Sequence, residues 1–277
     1  EPTNFHKNLV QHLYSGQWEN GWVSDANKLT GIQHIPIHNS KDGDYLNSKG
    51  MDEFNMGTFK YAAPLGGFCF SSAMLVDRKV RKEALPFDWL FTNPLEVAHI
   101  LETDFKHYLD KTQYIDVADI APEHGGRQAG HKMYHENFFN HKNPRTDEDY
   151  QYSIRCVERF RKFLQYPEKK LFIVSYRSGI NSHTNKFENV GLNKTKVQQE
   201  LMILDKVLQS KTQNYSIFCH VNYKSQFNYP SSSLFKLSNH IILHEYHSTQ
   251  MNGGLGYGNS LDQLTFDNLF NKLITFE

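Results

Sequence analysis

Apolar residues recur with helical or strand periods along most of the chain after residue 58, which predicts alternating α and β elements. Lys170–Tyr176 is almost continuously apolar, which is typical of a buried parallel strand. Asp147–Gln165 has one apolar and one charged face, which predicts an amphipathic helix. The same reading predicts, in chain order, strand Phe59–Pro64, helix Cys69–Val80, helix Pro94–Tyr108, helix Lys194–Leu208, strands Tyr215–Val221 and His240–Glu245, and helix Leu261–Leu273.

Two regions lack a clear period. Residues 1–57 are rich in Asn, Gly, His and Asp, so only a short helix at Asn4–Tyr14 and a short strand at Ile32–Ile37 are predicted there. The chain starts with Glu1 rather than Met, which leaves open a removed leader or anchor. Ala121–Asn143 is rich in His and Gly and predicts a long loop, and long loops in compact domains are commonly functional.

This order of elements predicts an α/β fold with Rossmann-like parallel sheets in a compact, two-lobed arrangement. The predicted N-terminal α/β lobe is residues 1–165, which contain the irregular leader and the His-rich loop. The predicted C-terminal Rossmann-like lobe is residues 166–277.

Composition narrows the class of protein. Hydrophobic residues make up 39%, enough for a sizeable core, so global disorder is not expected. The 30 basic and 30 acidic residues form no concentrated basic face, so nucleic acid is not an expected partner. No apolar stretch approaches the roughly 20 residues of a transmembrane helix. The three cysteines form no CxxC pair, which disfavours a zinc site or disulfides and favours a reducing, cytoplasmic location.

The carboxyl ends of parallel strands are the expected place for a ligand. Gly66 and Gly67 follow the first clear strand and precede a helix that begins near Cys69 and Ser71. Glycines let backbone N–H groups approach an anion, and a helix start also favours a thiolate. This segment therefore predicts an anion cradle, a cysteine nucleophile, or a small buried cysteine behind a turn.

Two further positions could supply an acid or base. Asp88 lies in the apolar run Pro86–Trp89, where a carboxylate is costly unless it is paired or used, so it is a candidate general base, helix cap or ion-pair partner. His135 lies in the His-rich loop with His131 and His141, and histidine is the usual acid–base residue near neutral pH. Their spacing is not that of a metal-binding HExxH helix, so no metal is expected.

The C-terminal half adds candidate binding residues. Arg177 ends a buried strand and precedes Ser178, so it could hold a diphosphate or carboxylate through two hydrogen bonds, or form a structural ion pair. The other candidates lie at the end of the last predicted strand and in the glycine-rich loop that follows: Glu245, His247, Gly253 and Gly254.

The segments Leu65-Gly-Gly-Phe-Cys69 and Leu85-Pro-Phe-Asp-Trp-Leu90 resemble two elements of an uncharacterised family of papain-like cysteine peptidases. The similarity covers roughly the middle half of the chain, and the Pro-Phe-Asp-Trp element is its most specific part. The resemblance implies that Cys69 is a nucleophile and that His135 or His141 is its base.

The C-terminal half is also similar in layout to the nucleotide-sugar half of two-lobed (GT-B-like) glycosyltransferases. Length and an Asn-, Lys- and Phe-rich composition are similar to those of compact sugar transferases from large algal viruses, which would place the protein in the host cytoplasm. This resemblance implies an inverting, metal-independent glycosyltransferase that moves a sugar from a nucleotide-sugar donor (a UDP-sugar such as UDP-xylose) to a glycan acceptor. Asp88 or His135 would be the base, and Arg177 would hold the diphosphate.

Sugar transfer is therefore the first functional expectation, with no cofactor and with the nucleotide sugar and the glycan as partners. The alternatives are a cysteine peptidase or hydrolase that uses Cys69, and a non-catalytic carbohydrate-binding protein.

Overall fold

The computed structural model describes residues 45–46, 55–117, 129–178 and 194–277, and it shows a mixed α/β fold. The helix predicted at Asn4–Tyr14 and the strand predicted at Ile32–Ile37 lie outside these ranges. In the part of the chain that is described, no helix combines the length and the apolar character needed to cross a membrane.

The described strands form one six-stranded sheet and two two-stranded sheets. Their bounds are β1 Tyr45–Leu46, β2 Gly57–Phe59, β3 Tyr61–Pro64, β4 Tyr114–Asp116, β5 Ala129–His131, β6 Lys170–Arg177, β7 Tyr215–Lys224, β8 Ser231–Lys236, β9 Ile241–Ser248 and β10 Ile274–Phe276. The six-stranded sheet has the order β1-β8-β9-β7-β6-β3 and forms the centre of the fold. Strands β3, β6, β7 and β9 are parallel to their neighbours among these four, whereas β8 runs antiparallel to β9 and to β1. The two-stranded sheets pair β10 with β2 and β4 with β5.

Helices cover both faces of this sheet. Successive strand residues point to opposite faces, so Phe172 and Val174 pack in one core cluster while Leu171 and Ile173 pack in the other. The helix bounds are α1 Phe70–Asp77, α2 Pro94–Glu102, α3 Asp147–Gln165, α4 Lys194–Gln209 and α5 Ser260–Leu273. The first cluster contains residues of α2, α3 and α4, and the second contains residues of α1 and α5.

Local sequence signals explain where helix α2 begins and ends. Asn93 accepts a hydrogen bond from the Glu96 amide while the Glu96 carboxylate accepts one from the Asn93 amide, which is a capping box before Pro94. The helix predicted to reach Tyr108 stops earlier, because Asp104 and Phe105 adopt left-handed backbone with φ of 48° and 62°. Helix α1 is likewise shorter than predicted.

The alternating α/β order is confirmed, but the two-lobed arrangement is not. Strand β3 lies before residue 165 and β6 after it, yet the two are adjacent parallel strands of one sheet. The strand predicted at Phe59–Pro64 is also wrong as a single element, since β2 pairs with β10 while β3 pairs with β6. The strand period predicts where a strand lies but not which strand it pairs with, and the division into lobes stays a prediction.

Candidate active site

Cys69 is placed at the carboxyl edge of the sheet by a tight glycine turn. Strand β3 ends at Pro64, and Gly66 and Gly67 follow with φ of 81° and 92° before α1 begins. A Cβ on Gly67 would lie 1.8 Å from the carbonyl oxygen of Ser175, and one on Gly66 would lie 1.8 Å from Thr92 Oγ1. Only glycine fits this contact with β6, so the turn fixes the position of Cys69 at the start of α1.

A histidine and an asparagine from the loop before α3 meet the thiol. His141 Nε2 lies 3.5 Å from Cys69 Sγ. Asn140 Nδ2 lies 3.7 Å from the same sulfur and 3.0 Å from His141 Nε2. The indole of Trp89 meets the His141 ring edge-on at 6.0 Å between centroids. Because the Asn140 side-chain nitrogen can only donate, its contact fits a His141 whose Nε2 carries no proton and is an acceptor.

Burial and charge act on this thiol in opposite directions. Cys69 is only 8% exposed, and this burial raises the pKa of the thiol above its ordinary value. The Asn140 amide and the positive charge of Arg177 lower the pKa again, to a smaller extent. The thiol therefore keeps its proton near neutral pH, and a nearby base such as His141 is required to make it nucleophilic.

Arg177, which ends β6, is half-buried next to this turn. Its guanidinium carbon lies 4.5 Å from the centroid of the Phe68 ring, and Nη1 donates to the Asn252 carbonyl at 3.1 Å. The backbone amide of Ser178 donates to the Asn222 carbonyl at 2.8 Å, which joins the end of β6 to β7. The structure thus brings the predicted residues Gly66, Gly67, Cys69 and Arg177 to one edge of the sheet.

His135 holds the His141 loop in place. Its Nε2 lies 2.8 Å from the Phe91 carbonyl, and its Nδ1 accepts a hydrogen bond from the Asn137 amide at 3.3 Å. The ring is 7% exposed, and both nitrogens bond to main chain. This geometry gives His135 a structural task and leaves the contact with the thiol to His141. The predicted catalytic role of His135 is not tested by these contacts.

Asp88 forms the ion pair that the sequence left open as an alternative. Its side chain is 2% exposed and pairs with the Arg81 guanidinium. It also accepts hydrogen bonds from the Leu85 amide at 3.0 Å and from Ser72 Oγ at 3.3 Å. Burial raises the pKa of Asp88, and Arg81 counters it. Since Ser72 lies in α1, Asp88 anchors the helix that starts beside Cys69, while its predicted role as a base stays a prediction.

The remaining small residues that were predicted to bind substrate make local main-chain contacts. Ser71 is fully buried, and its Oγ donates to the Phe68 carbonyl at 3.0 Å. Gly253 and Gly254 lie in the loop before α5, where the Gly254 amide donates to Asn252 Oδ1 at 2.7 Å. This loop reaches the site through the bond between Asn252 and Arg177.

Glu245 and His247 lie on the other face of the sheet from Arg177. In register, Tyr176 pairs with Val221 and Val221 with Glu245, and both Tyr176 and Val221 belong to the core beneath α2, α3 and α4. His247 shares the face of Glu245 because strand residues two apart point the same way. Glu245, His247 and Arg177 were all predicted to lie at strand ends. Because alternate residues of a strand point to opposite faces, Glu245 and His247 point away from the face that carries Arg177. Whether they bind a substrate stays a prediction.

Among the residues that the structure describes, no group of three or more His, Cys, Asp or Glu side chains is placed to hold a metal ion. The expectation that neither a metal nor a cofactor is required stays a prediction.

Sequence reasoning left the choice between His135 and His141 open and did not single out Asn140. Asn140 and His141 are adjacent in the chain and act together at the thiol. The available signal was an Asn-His pair in a long loop, and nothing local distinguishes that pair from the other histidines of the loop.

The family comparison agrees with this geometry. A family model described as "Putative papain-like cysteine peptidase (DUF1796)" matches residues 61–207, just over half of the chain. The matched range runs from β3 into α4 and contains Cys69, Asn140, His141 and Arg177. No curated protein and no solved structure gives a significant match. The resemblance seen in the Leu-Gly-Gly-Phe-Cys and Pro-Phe-Asp-Trp segments is confirmed, and the chain belongs to the family of this description.

Proposed function

We propose that this protein is a cysteine-dependent hydrolase of amide bonds, with Cys69 as the nucleophile and His141 as the general base. The observation that carries the proposal is the 3.5 Å contact between Cys69 Sγ and His141 Nε2 at the carboxyl edge of the sheet. Nucleophile and base within about hydrogen-bond reach is the arrangement that activates a thiol. Membership of a papain-like peptidase family supports the same reading.

In the acylation step, His141 Nε2 takes the thiol proton while Cys69 Sγ forms a bond to the substrate carbonyl carbon. The electron pair of the C=O double bond moves to oxygen and gives a tetrahedral oxyanion. When this intermediate collapses, the C–N bond breaks, and the leaving nitrogen takes the proton from His141. A water molecule, deprotonated by His141, then forms a C–O bond to the thioester carbon. The C–S bond breaks, the acid is released, and the Cys69 thiolate takes the proton back from His141.

The oxyanion requires a hydrogen-bond donor, and one lies beside the sulfur. Asn140 Nδ2 is 3.7 Å from Cys69 Sγ. Donors that are fixed before the reaction stabilise developing charge without reorganisation. We assign Asn140 to this task in addition to its contact with His141.

Sugar transfer is the less supported reading. The family match supports a peptidase, whereas no comparison supports a glycosyltransferase. A thermal-shift screen of UDP-, GDP- and CMP-linked sugars tests sugar transfer directly. A rise in melting temperature with one of these donors would support a glycosyltransferase.

The cysteine mechanism is tested by reactivity and by hydrolysis. Cys69, Cys156 and Cys219 are all free and buried, so the last two serve as internal controls. We expect iodoacetamide to label Cys69 first, and Cys69→Ala to abolish hydrolysis of a mixed peptide library while Cys156→Ala leaves it unchanged. Labelling of Cys69 no faster than the two control thiols, or hydrolysis that survives Cys69→Ala, would contradict the proposal.

A further inference from the structure

The mechanism proposed above makes no use of the charge of Arg177, although this residue lies beside the nucleophile. Ser175 and Arg177 are two residues apart on β6 and therefore point to the same face of the sheet. Ser175 Oγ contacts the Phe68 carbonyl at 3.4 Å, and the Arg177 guanidinium lies over the Phe68 ring at 4.5 Å. Since Cys69 directly follows Phe68, the guanidinium and the thiol share one small region of the edge.

The guanidinium is held at two points. It lies over the Phe68 ring, and its Nη1 donates to the Asn252 carbonyl. Asn252 is itself anchored, because its backbone amide donates to Asn222 Oδ1 at 2.8 Å and its side-chain Oδ1 accepts from the backbone amide of Gly254. A cation whose rotamer is set in advance loses little entropy when it binds a ligand.

The thiolate and the guanidinium influence each other's ionisation. Burial lowers the pKa of Arg177, and the negative charge of Cys69 raises it again. The converse effect lowers the pKa of the Cys69 thiol. Arginine remains charged at any pH at which the protein works. A half-buried, permanent positive charge next to a nucleophile attracts an anion more strongly than the same charge in bulk water.

We propose that Arg177 is a substrate-binding residue that selects acyl substrates with a carboxylate next to the scissile bond. The planar guanidinium matches a carboxylate through paired hydrogen bonds, and its position beside Phe68 brings such a carboxylate close to Cys69 Sγ. This inference rests on the proposed function. The competing role, in which Arg177 only lowers the pKa of the thiol, predicts a different result in the experiment below.

Two alkylating reagents of nearly equal size separate these roles. In both reactions the Cys69 thiolate forms an S–C bond to the methylene carbon while the C–I bond breaks and iodide leaves. Iodoacetate carries a carboxylate and iodoacetamide carries a neutral amide. Rates at Cys69 are measured over a range of pH by mass spectrometry, so that the thiol pKa and the intrinsic rate of each reagent are obtained separately.

We expect the ratio of the iodoacetate rate to the iodoacetamide rate to fall about tenfold in Arg177→Gln, because a charge-assisted hydrogen bond is lost. Arg177→Lys should fall between that variant and the unchanged protein, since it keeps the charge without the planar fork. Arg78→Gln is the matched control. Arg78 also stacks on a phenylalanine, Phe270, at 4.2 Å, but it lies at the other end of α1, and the ratio should not change.

The unmodified protein provides a test that needs no variant. Propionate should slow the reaction of Cys69 with iodoacetate, and propionamide at the same concentration should not. If propionate has no effect, or if Arg177→Gln slows both reagents equally once the thiol pKa is taken into account, the carboxylate site is refuted and the cysteine mechanism stands. If Cys69 reacts no faster than Cys156 and Cys219, both proposals fail.

Discussion

The histidine beside Cys69 and a buried pair of histidines differ, among the described residues, in whether they contact a nucleophile. Beside Cys69, His141 comes from a loop at the sheet edge. Deeper in the core, His220 and His244 on neighbouring strands form a chain. Their Nδ1 atoms lie 3.1 Å apart, His220 Nε2 lies 2.7 Å from the Tyr257 hydroxyl, and His244 Nε2 lies 3.1 Å from the Ser232 hydroxyl.

The difference shows what makes a histidine chemically available. All four ring nitrogens of His220 and His244 have a protein partner, and both side chains are fully buried. Burial lowers the pKa of His244 to about 3 and that of His220 well below its ordinary value. These rings stay neutral and structural. His141 instead contacts a group that has a proton to give, at the edge where a substrate can approach.

Among the variants that test this contrast, replacement of His141 has the largest expected effect. We expect His141→Ala to slow peptide hydrolysis and alkylation of Cys69 near neutral pH about 10²- to 10⁴-fold, because the thiol loses its general base. Rates are compared with those of His240→Ala, which removes a half-buried histidine that contacts Asp205 immediately before β9 and should change little. Equal effects of the two substitutions would remove His141 from the mechanism.

Asp88 tests whether the neighbouring carboxylate supports the site or takes part in it. Asp88→Ala leaves the Arg81 guanidinium without its buried partner and removes the bond to Ser72 in α1. We expect the free energy of unfolding to fall by about 4 kcal/mol, measured by urea denaturation. Activity per folded molecule should change little. A large loss of activity at unchanged stability would identify Asp88 as the general base instead.

The buried histidines predict sensitivity to acid. The pKa of His131 is lowered to about 4 by burial, whereas the unfolded value is about 6.5. Between these values the unfolded chain binds more protons, so the free energy of unfolding falls as pH falls through this window.

His131 alone should account for roughly 3 kcal/mol of this loss, and His220 and His244 add to it in the same direction. Urea denaturation at a series of pH values gives the slope of the free energy of unfolding against pH. This slope should be smaller in His131→Asn. A free energy of unfolding that does not depend on pH between 4 and 6.5 would mean that these rings are not held neutral by the fold.

Asn140 gives the smallest expected effect. Asn140→Ala removes a donor that stabilises the thiolate, so the thiol pKa should rise and alkylation at neutral pH should slow about tenfold. The pH dependence of iodoacetamide labelling measures this change. Asn143→Ala is the control from the same loop, because Asn143 Oδ1 accepts from the Arg145 amide instead of contacting the sulfur. A thiol pKa unaffected by Asn140→Ala would mean that Asn140 does not stabilise the thiolate.

The local pattern determined the elements that depend on neighbours in the chain. Helix α3 has the predicted bounds, Asp147–Gln165, because its apolar stripe and its acidic first turn are encoded within nineteen residues. The strand after it was also predicted from local residues, because it is almost continuously apolar. The glycine turn before Cys69 was predicted for a different local reason, since left-handed backbone favours glycine wherever it occurs. These features led to the family resemblance that the comparison confirmed.

Pairings and proximity were decided only by the tertiary structure. Strand β8, the hairpin of β4 with β5, and the adjacency of β3 and β6 depend on contacts between distant segments, which no local period encodes. The same holds for the site. The sequence around His135 and His141 does not show which of them contacts the thiol. In the folded chain, His135 contacts the Phe91 carbonyl and His141 contacts Cys69. Sequence alone determined the glycine turn before Cys69, and long-range packing decided which side chains contact the thiol.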